Sequence, residues 1–128
     1  MKLENQVCSL ELAEKLKELG FGQDSLYKWT PENRGETFYI CSSDCLHGKD
    51  YPCYSAYTVA ELGEMLPFYI REDANKGISF STETDGLKIE RFSNGWTIYY
   101  RYRSISDKTL AEAMAKMLIY LKENNLIN

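Results

Sequence analysis

Residues 77–103 read GISFSTETDGLKIERFSNGWTIYYRYR. Two dipeptides, Asp85-Gly86 and Asn94-Gly95, interrupt alternating apolar and polar residues. Such pairs supply the positive φ that a two-residue type I′ hairpin turn needs. Taking both as turns sets a register. Asn94-Gly95 places Ser93 opposite Trp96, Arg91 opposite Ile98, Ile89 opposite Tyr100 and Leu87 opposite Tyr102. Asp85-Gly86 places Thr82 opposite Ile89 and Phe80 opposite Arg91. Both turns put Ile78, Phe80, Thr82, Leu87, Ile89, Trp96, Ile98, Tyr100 and Tyr102 on one face. That agreement predicts a three-stranded antiparallel meander. The other face carries Lys88, Glu90, Phe92, Thr97, Tyr99, Arg101 and Arg103. Arg91 is the exception on the inner face, and a cation–π contact over Trp96 accommodates it.

Outward from the meander, the pattern changes to helix. Ser9 caps a first helix over about 10–19, where Leu12, Leu16 and Leu19 form one apolar stripe with Ala13 and Gly20 stops the chain. Val7, before the cap, closes over Ala13 as a hydrophobic staple. Thr58 with Glu61 is a capping box for a second helix over about 59–66, ended by Pro67. Thr109 with Glu112 opens a third, with Asp107 as a rival cap. Its stripe is Leu110, Met114, Met117, Leu118 and Leu121. Residues 26–30 and 37–41 are strand-like around the loop signal PENRG, a long-loop hairpin. Residues 42–54 read as a polar loop. The architecture predicted is α+β: an antiparallel sheet, made of the C-terminal meander and the N-terminal hairpin, packed on one face by about three helices. Helices one and three are expected to cover it.

A chain of 128 residues fits a single domain spanning 1–128. That size buries roughly two thirds of its unfolded surface, so neither metal nor disulfide is required for folding. Net charge is −4, which argues against a broad basic field for duplex nucleic acid. The first residues, MKLENQVCSLELAEKL, are polar and lack the apolar core of an export signal, and no segment suits a membrane span. This favours the cytoplasm, where Cys8, Cys41, Cys45 and Cys53 are expected as reduced thiols or ligands.

Several blocks resemble one family. NQVCSLELAEKLKELG at 5–20, TVAELGEMLP at 58–67, GWTIYY at 95–100 and AEAMAKMLIYLKENNLI at 111–127 occur in the order of small proteins of phages and prophages of gut bacteria, Bacteroides-type. The resemblance implies a phage-derived cytoplasmic protein and carries no assigned activity. Glu61, Glu64, Trp96 and the tail helix match its pattern without a catalytic role. The segment 41–53 departs from it.

That segment, CSSDCLHGKDYPC, holds three of the four cysteines and the only histidine. Cys41, Cys45, His47 and Cys53 make a legitimate Cys₃His zinc set. The spacing fits poorly: Cys45-x-His47 is tight, and paired ligands normally precede a longer gap. A polar loop is the favoured reading, with a redox or disulfide role as a further one. Cys8 lies before a helix start, where a thiolate gains stability, but a small buried hydrophobe explains it better. His47 lacks the orienting group and oxyanion hole of a Cys–His nucleophile. Glu61 and Glu64 share a helix face, yet Glu61 is accounted for by its cap. No phosphate-binding glycine loop is present.

The function predicted is therefore a non-enzymatic protein-interaction module, with a protein partner or self-association through Phe92, Tyr99 and Tyr39 on one open sheet face. The alternative is a single-stranded nucleic-acid binder using Lys88, Phe92, Tyr99, Arg101 and Arg103, cations and aromatics alternating on an open sheet. Glu90 opposes it. A small zinc-stabilised protein is the third reading.

Overall fold

The computed structural model describes residues 2–32, 37–42, 53–68, 70, 86–100 and 103–127. Helix α1 runs Leu10–Glu18, and the Ser9 hydroxyl accepts the Leu12 N–H at 3.4 Å. Ala13 and Leu16 are its buried residues, and Gly20 follows at φ +91°, the left-handed stop that the sequence predicts. The hairpin forms where predicted, but its first strand is longer: Pro31 and Glu32, read as loop, pair with Phe38 and Thr37. Strands β1 (Tyr27–Glu32) and β2 (Thr37–Ser42) pair antiparallel, with Trp29 opposite Ile40.

A third strand, β3 (Tyr54–Ser55), lies on the other side of β1 in the order β2-β1-β3. Residue 54 closes the predicted polar loop, and two residues are too few for an alternation signal. A side chain fixes β3 instead: Gln23 Oε1 accepts the Ser55 N–H at 2.9 Å.

Helix α2 runs Val59–Met65 with its capping box complete. Glu61 Oε1 accepts the Thr58 N–H at 2.9 Å, while the Thr58 hydroxyl accepts the Glu61 N–H at 3.2 Å. The second Glu61 oxygen accepts the Leu26 N–H at 3.1 Å, joining the helix start to the entry of β1. Glu61→Ala removes both functions. We expect it to lower stability by about 1–2 kcal/mol in urea titration, with Glu64→Ala nearly neutral.

The meander exists, but its strands differ from the prediction. They are β4 (Leu87–Phe92), β5 (Gly95–Tyr100) and β6 (Arg103–Asp107), in that order across the sheet. The strand expected around Ile78, Phe80 and Thr82 lies outside the described residues. The register is offset by two: Ile89 faces Ile98, Leu87 faces Tyr100 and Phe92 faces Gly95. Ser93 and Asn94 therefore form the turn, and Gly95 is the first residue of β5. The reason is steric. A Cβ on Gly95 would lie 2.2 Å from the Asp107 carbonyl oxygen, and its φ is +155°. Glycine is required there for close approach of β6, not for the turn itself. An offset of two preserves side-chain parity. Leu87, Ile89, Trp96, Ile98 and Tyr100 still share a face, although Ile89 is 39% exposed at its rim.

The last helix, α3 (Leu110–Glu123), is the centre of the molecule. The Thr109 hydroxyl accepts the Glu112 N–H at 3.2 Å. The Glu112 carboxylate does not return to Thr109 as a capping box would. It accepts the Ser9 N–H at 2.5 Å, bonding the start of α1. Ala111, Ala113, Met114, Ala115, Met117, Leu118, Ile119 and Leu121 are all buried, so α3 is covered on almost every side. It touches β5 and β6 on one side and α1 and α2 on others. The two sheets are separate: α3 packs on the meander, while α1 packs on α3 and β3. Helix α1 thus bridges toward the N-terminal sheet rather than covering the meander. Tyr100 is fully buried, and its hydroxyl donates to the Pro67 carbonyl. Among the described residues, no helix is long and apolar enough to cross a membrane.

Candidate functional site

Alternation along β4, β5 and β6 decides what the outer face presents. Lys88 opposes Tyr99, Glu90 opposes Thr97, and Tyr99 and Thr97 oppose Ser104 and Ser106. These side chains share the face away from α3. Lys88 Nζ lies 2.8 Å from Glu90 Oε1 and 5.7 Å from the Tyr99 ring centroid. The hydrogen bond to Glu90 raises the Lys88 pKa, and the bond to Lys88 lowers that of Glu90. The Thr97 and Ser106 hydroxyls are 2.6 Å apart, and Thr97 is buried between its neighbours. Phe92, at the end of β4, keeps 49% of its surface exposed. Beside it is a hollow of about 420 Å³, lined by Phe92, Asn94, Trp96, Thr97, Ser106 and Lys108 among others.

The structure brings together Lys88, Phe92 and Tyr99 of the predicted surface. It does not add Arg103. The sequence predicts β5 to run on through residue 103, which would put Arg103 beside Tyr99. The chain instead ends β5 at Tyr100, and β6 brings Arg103 opposite Tyr100, on the face toward α3. There Arg103 lines a small cavity with Met117 and Tyr120. Arg101 lies outside the described residues. Arg91 lies over Trp96, 5.7 Å from the ring centroid, the predicted cation–π contact.

Of the proposed zinc ligands, Cys41 is disulfide-bonded, against the expectation of a reduced thiol. In that state its sulfur carries no thiolate charge for a metal. Cys53 is a free thiol, and Cys45 and His47 lie outside the described residues. Among the described residues, no three of His, Cys, Asp and Glu are grouped to hold a metal ion.

Cys8 is fully buried, its thiol facing the Ser55 carbonyl and its own carbonyl accepting the Trp29 indole N–H at 2.9 Å. Burial pushes its pKa up to about 12. The reading as a small hydrophobe holds. At pH 8 the folded protein should be alkylated at Cys53 and not at Cys8, as peptide mass mapping would show. The folded state keeps the Cys8 proton after the unfolded chain, at its ordinary pKa of 9.0, has lost it. Stability from this group is therefore complete below the unfolded value and falls as pH rises toward 12. Cys8→Ala should flatten that alkaline limb.

Lys108 and Asn94 escaped the sequence reading as site residues. The signal available was Gly95 beside Trp96: a glycine forced by close approach next to a large aromatic at a sheet end. No family model, curated protein or solved structure matches this chain. The site therefore rests on its own geometry.

Proposed function

We propose that the chain is a non-enzymatic accessory protein of phage or prophage origin that binds another protein through the outer face of β4–β5–β6. The observation supporting it is Phe92, half exposed at the lip of the hollow beside Thr97 and Ser106. An exposed aromatic next to a concavity suits a partner's apolar side chain, the usual centre of a binding hot spot. Lys88 and Glu90, on the same sheet face, neutralise one another, so that face presents no net charge from this pair to a partner. A single-stranded nucleic acid fits less well. Arg103 is on the opposite face, and Lys88 is already engaged by Glu90.

The test is photo-crosslinking from position 92, with position 120 on α3 as a control. One partner captured from position 92 alone is expected, and with that partner purified, Phe92→Asp should weaken binding about tenfold or more. A crosslinked product of twice the chain mass would make the partner a second copy. Equal capture from both positions, or affinity untouched by Phe92→Asp, would sink the reading. Tight, steeply salt-dependent binding of oligo-dT would replace it with the nucleic-acid reading.

A further inference from the structure

A second cavity, of about 690 Å³, lies on the other side of the Trp96 end of the meander. Among the described residues, four separate parts of the chain border it. Gln6 comes from the N-terminal segment, Val59 from the start of α2, Arg91 and Trp96 from the paired strands β4 and β5, and Lys108 and Leu110 from the approach to α3. Its size is in the range of about 300–1,000 Å³ that accommodates small organic ligands.

The charge around it runs against the rest of the molecule. The chain has 19 acidic and 15 basic side chains, yet among the described residues the cavity is lined by two cations and no carboxylate. Neither cation is neutralised by an ion pair among the described residues. Two carboxylates adjoin these cations in sequence: Glu90 is paired with Lys88, and Asp107, within electrostatic reach of Lys108, is committed to the Lys116 ammonium and to the Lys108 backbone N–H. Arg91 is held over Trp96 by a cation–π contact, which uses the charge of the guanidinium without consuming its hydrogen bonds. Val59, Ala60 and Leu110 add apolar surface to the same lining.

We propose that this cavity binds a small organic anion. Its phosphate or carboxylate sits between Arg91 and Lys108, and its apolar body lies against Trp96 and Val59. Two positive donors together with apolar side chains in one lining define that ligand class, and they disfavour both cations and uncharged apolar molecules. The site adjoins the proposed protein interface, sharing Trp96 and Lys108 with the hollow beside Phe92, but it adds Arg91 and the starts of α2 and α3, so Arg91→Gln and Phe92→Asp test the two separately. Either proposal stands if the other fails.

The chain has two tryptophans, so its indole N–H resonances report the site directly. Trp29 bonds the Cys8 carbonyl and serves as an internal reference. We would titrate the ¹⁵N-labelled protein with adenosine monophosphate, benzoate and inorganic phosphate. The expected result is a saturable shift of the Trp96 resonance with one or both organic anions, weaker or absent with inorganic phosphate, and no shift at Trp29. Arg91→Gln and Lys108→Gln, both at exposed side chains, should each weaken binding about tenfold. Three results would overturn the proposal: no saturable Trp96 shift with any probe at its solubility limit, a response to inorganic phosphate alone, or unchanged affinity in a folded Arg91→Gln, Lys108→Gln double variant. The wild-type titration is decisive even if a variant fails to fold.

Discussion

Gly95→Ala is expected to lower stability by about 3 kcal/mol, a fall in melting temperature of roughly 10 °C by calorimetry. Two effects add. The residue sits at φ +155°, which an alanine adopts only with strain, and the new methyl would meet the Asp107 carbonyl oxygen at 2.2 Å. Relief requires β6 to move, because the atoms in the way are backbone: the Asp107 carbonyl carbon at 3.0 Å and the Lys108 Cα at 3.1 Å. That movement is resisted at both ends. Asp107 faces Trp96 across the ladder and is ion-paired to Lys116 on α3. Gly20→Ala separates the two effects. Gly20 has φ +91°, and nothing lies within 4 Å of where a Cβ would stand. Its loss should therefore be about 1 kcal/mol, from backbone strain alone. Equal effects at the two positions would mean that the approach of β6 is not tight.

Leu118→Ala should have a comparable effect, about 3 kcal/mol in urea or thermal unfolding. Leu118 has no exposed surface, and it lies on a helix with β5 and β6 on one side and α1 and α2 on others. A cavity there cannot close by movement of one neighbour, because each neighbour is held elsewhere. Leu26→Ala is the contrast. Leu26 is 64% exposed, and its backbone N–H, which bonds Glu61, is unaffected by the change. A loss of no more than about 0.5 kcal/mol is expected. A small effect at Leu118 would show α3 to be a surface element.

How far the sequence reached depended on how local each signal was. Ser9, Thr58 and Thr109 name the three helix starts because a cap is an interaction over three residues. The N-terminal hairpin was legible for the same reason. The meander was legible as an architecture and not as a register. Asn94-Gly95 reads as a turn, but the requirement on Gly95 comes from Asp107, twelve positions away and on another strand. Strand β6, RSISD, has one apolar residue between serines, so nothing in its own pattern distinguishes it from a loop. Missing β6 is what misplaced Arg103, and with it the cationic row of the nucleic-acid reading. The Glu112–Ser9 bond was hidden by a competing local explanation, since Glu112 also stands where a capping box would put it. The cavity by Trp96 was least legible, being assembled from four segments with no shared motif.

The place of α3 has a consequence for biosynthesis. Residues 110–123 leave the ribosome after α1, α2 and the strands, yet they supply the side chains on which α1, α2, β5 and β6 pack. The Ser9–Glu112 bond closes a separation of 103 residues, so early and late segments must meet before either is secured. Such non-local closure slows folding and lengthens the exposure of apolar surface in the nascent chain. Residues 2–107 should therefore remain a chaperone client during synthesis, and folding should be completed in one late step when α3 docks.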